Sequence, residues 1–274
     1  MIKMEIQKIN NRVPLILLFL VILIAVLPAD DLSKFHKTGS STETVDHSSW
    51  TAWLGDNLYR DERDINLLAY GKVTAGGQKQ LKEYIEYLET RTVTTLGRDE
   101  QFAFWINLYN ALTVSLILEE GPVESIRDIK SGLFSSGPWD LEISEVEGVV
   151  LTLNDIEHEI LRPFFQDPRI HFAVNCASVG CPDLQEEAFL AQSLETQLDH
   201  AARTYLSHPR GLEFKGGSLH LSSLFKWYKE DFGKTQKDRL LSLSQWVPSE
   251  DAQELKAYTG RLSYDYDWSL NGTF

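Results

Sequence analysis

Most of the chemistry this sequence can offer lies in one stretch, at Asp155, Glu157, His158, His171, Asn175, Cys176, Ser178 and Cys181. The chain has two cysteines, both in the segment Cys176-Ala-Ser-Val-Gly-Cys181, followed by Pro182. Three chemistries fit that spacing. Gly180 permits a tight reversal that brings the two α-carbons toward the separation a disulfide prefers, giving a stapled loop. Alternatively, Cys176 is a nucleophile, with Ser178, Asn175 and loop N–H groups stabilising an oxyanion. Thirdly, His158, His171, Cys176 and Cys181 are zinc-ligand types, although four residues between the cysteines exceed the usual two.

A thiol nucleophile needs a base. On a helix, Asp155, His158 and Arg162 share a face, so a carboxylate can fix the His158 tautomer while Arg162 holds a substrate anion. Helix-end electrostatics account equally well for the charged groups: Glu157 as the capping residue, Asp155 at the positive end, Arg162 at the negative end. They do not account for His158. The segment Arg169–Val174 alternates as a strand, with His171 opposite Ile170 and Phe172. Five extended residues separate His171 from Cys176 by roughly 16 Å. His158 is therefore the expected base for Cys176, oriented by Asp155 or Glu157, and His171 a buried strand histidine.

These residues need elements to hold them. Gln78–Arg91 and Asp99–Glu119 have helical periodicity. The second is apolar nearly all round and so belongs in the core. Within it Asn107, Tyr109 and Asn110 are poorly placed for propensity alone, which points to hydrogen bonds with a loop or to a pocket lining. A Gly/Ser/Pro loop precedes short strands near 141–146 and 149–153, and Asn154 with Glu157 signals the start of a capped helix reaching about Arg162. A helix near 190–207 follows. Gly216-Gly217 then marks a hairpin between 212–214 and 218–221, and further helices lead to a closing Tyr-Asp-Tyr-Asp-Trp segment, with Asn271 just beyond. Clustered helices and antiparallel strands give an α+β class: a helix-rich single domain with a small, mainly antiparallel sheet.

Several ordered segments resemble the family called domain of unknown function 547. They are Phe104–Val114, Leu153–Arg162, Arg169–Pro182, Leu221–Phe232 and Tyr264–Asn271. The resemblance runs from about residue 100 to the end. It implies kinship without an activity.

At the N-terminus, Lys3, Lys8 and Arg12 precede an unbroken apolar run over 13–29, followed by Asp30 and Asp31. This is the pattern of an export signal or membrane anchor, and of an apolar helix at the start of an exported chain. Residues 30–48 read as a polar tether and 49–274 as the domain. The formal charge is −14. That balance repels phosphates and anionic lipid, so no nucleic-acid partner is expected, and membrane contact only through 13–29. With no Gly-rich phosphate loop, no nucleotide cofactor is expected. The expected function is recognition of a small ligand or envelope partner by a pocket around the cysteine loop. The alternatives are a thiol-dependent hydrolase or acyltransferase and a zinc-binding domain.

Overall fold

The computed structural model describes residues 32–130, 132 and 137–274. The expected export or anchor helix lies outside the described residues, as does part of the Gly/Ser/Pro loop.

Helix α3 (Arg98–Glu120) is the axis of the molecule. It is long and apolar enough to cross a membrane, yet 89% of its apolar window is buried in protein. An all-round apolar helix needs partners on every side. Helix α2 (Ala75–Glu89) supplies part of that cover, and α1 (Ser48–Asn57) packs in turn on α2. A π-helix over Asp155–Phe165 supplies more. Residues 32–48, expected as a tether, lie along the domain, with Phe35 buried edge-on against Trp105.

Strands β1 (Leu58–Arg60) and β2 (Asn66–Leu68) pair antiparallel, as do β3 (Ser144–Val146) and β4 (Val149–Leu151). After the π-helix come the single-turn helix α4 (Ile170–Ala173), the cysteine loop and α5 (Leu194–Ser207). The expected hairpin is present as β5 (Leu212–Lys215) and β6 (Ser218–Ser222), turning on Gly216 and Gly217 at positive φ. Strand β7 (Leu262–Asp265) joins β6 in parallel, and α6 (Leu224–Trp227), α7 (Lys229–Phe232), α8 (Gln236–Leu243) and α9 (Ser249–Ala257) lie between them in sequence. The class is α+β.

Among the described residues two large apolar cores result, with a third small cluster of Ile65, Leu67 and Val179. The larger surrounds α3; the smaller gathers Phe172, Tyr205, Phe225, Phe232 and Trp246 beside the three-stranded sheet. Helix α4 straddles them: Ile170 and Ala173 pack in the first, Phe172 in the second. The residues of interest therefore sit on the seam between two cores.

Candidate active site

Three local expectations are corrected here, and together they build the site. First, Arg169–Val174 is no strand. Asp167 Oδ1 accepts the Arg169 N–H at 2.8 Å, and the N–H groups of Ile170, His171 and Phe172 bond back to residues 167–169. An Asx turn followed by Pro168 starts a helix rather than a strand. The coiled turn shortens the path from His171 to Cys176, and both residues line one pocket. The extended-chain separation of roughly 16 Å does not apply to this pair.

Second, the capping pair at the next helix is Thr152 with Asp155. Asp155 Oδ2 accepts from Thr152 N and Oγ1, and Thr152 Oγ1 accepts the Asp155 N–H at 3.0 Å. Asn154 makes no side-chain cap. Glu157 is thus free of the helix end and turns inward. It is buried, takes a hydrogen bond from Tyr109 Oη at 3.0 Å, and also pairs with Tyr228. The helix then runs with the wide i→i+5 turn of a π-helix, a form concentrated at functional sites.

Third, Cys176 and Cys181 are free thiols, and the expected staple is not formed. The reversal is made by Ala177, at φ +54°. Gly180 has a different reason to be glycine: a Cβ there would lie 2.8 Å from the Asp267 backbone. In this loop Cys181 Sγ accepts the Cys176 N–H at 3.0 Å. Tyr266 Oη lies 3.3 Å from Cys176 Sγ, 3.0 Å from Cys181 Sγ and 2.9 Å from Ser178 Oγ. Ser178 Oγ is 3.4 Å and 3.5 Å from the same sulfurs. The sulfurs share two hydroxyls instead of a covalent bond.

The thiols ionise as a coupled pair. Burial opposes ionisation of Cys181, but hydrogen bonds from Cys176, Ser178 and Tyr266 outweigh it and bring its pKa down to about 6. Cys176, hydrogen-bonded to Cys181 and buried beside it, is pushed well above the ordinary thiol value. At neutral pH one negative charge rests on the inner sulfur, and the more exposed sulfur keeps its proton.

His171 completes the pocket. Its Nε2 lies 2.6 Å from Asp231 Oδ2, and its ring stacks on Tyr228 with centroids 4.0 Å apart. Arg162 holds Asp231 bidentately, at 2.7 Å and 3.1 Å. Burial raises the Asp231 carboxyl, yet His171 and Arg162 together draw it well below the usual carboxylate range. An ionised Asp231 accepts from Nε2–H, so in the neutral imidazole the lone pair is on Nδ1. Nδ1 is buried without a hydrogen-bond partner, and the nearest Glu157 oxygen is 4.0 Å away. The pocket is about 30 Å³, lined by Tyr109, Glu157, His171, Cys176, Cys181 and Tyr228 among others.

The remaining candidates are placed as follows. Asn107 exchanges two hydrogen bonds with the backbone of Phe189, at 2.8 Å and 3.0 Å. Asn110 bonds Ala173 O and the Asn175 N–H. Both therefore pin loops, and Tyr109 alone of that group lines the pocket. Asn175 gives one amide hydrogen to Pro182 O and accepts from the Ala177 N–H and the Asn271 amide, so it too pins the loop. His158 does not line the pocket; its Nδ1 is 3.1 Å from Arg162 Nη1. Among the described residues no group of three metal-ligand side chains converges.

Asp231, Tyr228 and Tyr266 were not legible as site residues. Each lies in a segment carrying the family resemblance, Leu221–Phe232 or Tyr264–Asn271, and that was the available signal. Their partners are some 60 to 90 positions away, beyond any periodicity.

Residues 93–206 match the family model described as protein of unknown function, DUF547. The matched stretch contains Tyr109, Glu157, His171 and both cysteines, and it is shorter than the resemblance read from the motifs. No curated protein and no solved structure matches the chain.

Proposed function

We propose that the chain, whose residues 93–206 match a family model that brings no activity with it, is an exported, thiol-dependent hydrolase or acyltransferase. Cys176 is the nucleophile and His171 its base. The observation that carries this reading is the state of His171: one ring nitrogen anchored on Asp231, the other bare and buried at a pocket shared with Cys176.

Cys176 holds its proton at rest, because Cys181 and burial both disfavour its thiolate. It therefore requires a general base in the transition state, as a serine nucleophile does. His171 Nδ1 takes the thiol proton as the Cys176 sulfur bonds the substrate carbonyl carbon. The imidazolium then returns that proton to the leaving group as its bond to carbon breaks. Asp231 keeps the ring oriented and balances its transient charge. Water, deprotonated in turn by His171, releases the acyl group; another nucleophile in its place gives transfer.

Size separates this from simple ligand enclosure. About 30 Å³ is the space of roughly one water molecule. Pockets that enclose small ligands run to roughly 300 Å³ or more. A cavity this small suits one reacting group presented from outside.

The test is acyl trapping. The purified protein is treated with 4-nitrophenyl acetate and with an acyl thioester near pH 7.5, digested, and the peptide spanning Cys176 and Cys181 is weighed. An acetyl adduct assigned by fragmentation to Cys176, absent in Cys176→Ser and retained in Cys181→Ser, supports the assignment. An adduct on surface lysines alone removes it.

A further inference from the structure

The arrangement around Cys181 Sγ is that of a stabilised leaving sulfur. Three donors converge on it: the Cys176 N–H at 3.0 Å, the Tyr266 hydroxyl at 3.0 Å and the Ser178 hydroxyl at 3.5 Å. Both cysteines line the pocket, but Cys181 is buried whereas Cys176 is partly exposed. Both sulfurs lie within 3.3 Å of one hydroxyl oxygen, so they are close neighbours.

We propose that Cys176 and Cys181 form a dithiol–disulfide exchange pair whose oxidised form passes its disulfide to substrate thiols. This exchange is a chemistry distinct from acyl transfer and needs neither His171 nor Asp231.

The chemistry balances in two steps. Cys176, as the accessible sulfur, attacks a small disulfide RSSR; a Cys176–S–S–R bond forms, and the first RS leaves with the Cys176 proton as RSH. The Cys181 thiolate, its own proton already lost to solvent, attacks the Cys176 sulfur. The Cys176–Cys181 bond forms and a second RS⁻ leaves, taking a proton from water. The protein dithiol has lost two electrons, which the two RSH molecules now carry. In the reverse direction, a substrate thiolate attacks Cys176 and expels Cys181.

The three donors set the preferred direction. Exchange is faster when the departing thiol is the more acidic one. A site that stabilises the departing thiolate also stabilises the reduced protein, which makes the disulfide a strong oxidant. The two hydroxyls are shared by both sulfurs, but the Cys176 N–H goes to the buried sulfur alone and Tyr266 Oη lies nearer to it, so the buried sulfur is the better stabilised and the accessible one is left to be attacked. The low acidity of Cys176 matches its role as the attacked centre rather than the expelled group.

The test equilibrates the full soluble protein in buffers of reduced and oxidised glutathione at pH 7.5, with acid quench, alkylation and intact mass. The expected result is complete exchange between the dithiol and a species two mass units lighter. Its midpoint lies in buffers richer in the oxidised form than an ordinary structural disulfide requires. Tyr266→Phe removes one donor and is expected to shift the equilibrium constant about tenfold toward the disulfide. Ser178→Ala, a smaller change inside the loop, is expected to shift it in the same direction and serves if Tyr266→Phe fails to fold. Persistent glutathionylation of Cys176 without ring closure would overturn the proposal, as would an equilibrium that neither variant moves. Acyl trapping and this equilibrium are read on different products, so either proposal can fail while the other stands.

Discussion

Cys176 and Cys181 share the hydroxyls of Ser178 and Tyr266, so a change at one sulfur is felt at the other, and titration of the pair exposes this directly. The first proton is expected to leave near pH 6 and the second well above 9. Thiolate absorbance near 240 nm should show one step in that lower range. In Cys181→Ser, the step near 6 disappears, and Cys176 moves down from its raised position because its charged neighbour is gone. The sign for stability follows. Cys181 has a folded value below its free-thiol value of 9.0, so its contribution is full above that pH and is lost as pH falls through about 6. Cys176 acts in the opposite sense above 9, where the unfolded thiol ionises first. Urea midpoints measured at pH 6, 7.5 and 9 should rise over the first interval in the native protein and flatten in Cys181→Ser. A native midpoint unchanged between pH 6 and 7.5 would refute the coupled-thiol account.

At the scale of elements, the site depends on side chains that hold backbone rather than on side chains that react. Asn110 satisfies Ala173 O and the Asn175 N–H with one amide, where α4 gives way to the cysteine loop. Asn110→Ala leaves both groups buried and unpaired, at a cost of roughly 1–3 kcal/mol each. Gly180→Ala forces a methyl against the Asp267 backbone, so the C-terminal segment must shift away from the loop. Both variants should lower the urea midpoint and slow acylation of Cys176; a variant with normal stability and normal acylation would contradict the pinning role. Legibility divided along the same line. Helices α2 and α3 and the β5–β6 hairpin were readable because their signals are local: apolar spacing in the helices, a Gly-Gly turn in the hairpin. The α4 turn was misread because Ile170, Phe172 and Val174 alternate like a strand, while the deciding signal was the Asp167-Pro168 pair. Glu157 looked like a capping residue by spacing from Asn154, but Thr152 and Asp155 fill that role two positions earlier. Asp231 and Tyr266 could not be placed at all, since tertiary contacts alone bring them to His171 and the thiols.

Across the whole molecule, polar groups are buried in several places besides the seam between the two cores, and acid should open the structure at buried histidine. His47 is 1% exposed beneath α2, with Nδ1 2.6 Å from Tyr84 Oη and Nε2 unpartnered. Burial lowers its pKa to about 4, against a small opposing pull from Asp46. The unfolded chain therefore binds this proton first as pH falls. Stability is intact above about pH 6.5 and is lost between there and 4, by an amount on the order of 3 kcal/mol. Thermal melts of the native protein and of His47→Gln should converge in their acid slope only below pH 4; identical slopes between 6.5 and 4 would show that His47 is not the group responsible. The export expected from residues 13–29 belongs to this scale as well. An oxidising compartment is where exchange at the cysteine pair has disulfide partners to meet.

The proposed role of His171 as the base for Cys176 is read most directly by the rate of Cys176 acetylation by 4-nitrophenyl acetate against pH, in native protein and in His171→Gln. The native rate should already be high near neutral pH, well below the range in which Cys176 ionises unaided. His171→Gln should lose about 100-fold or more there and recover only in strongly alkaline solution. Equal rates in the two proteins across the whole range would contradict the assignment and leave His171 as a buried histidine held by Asp231.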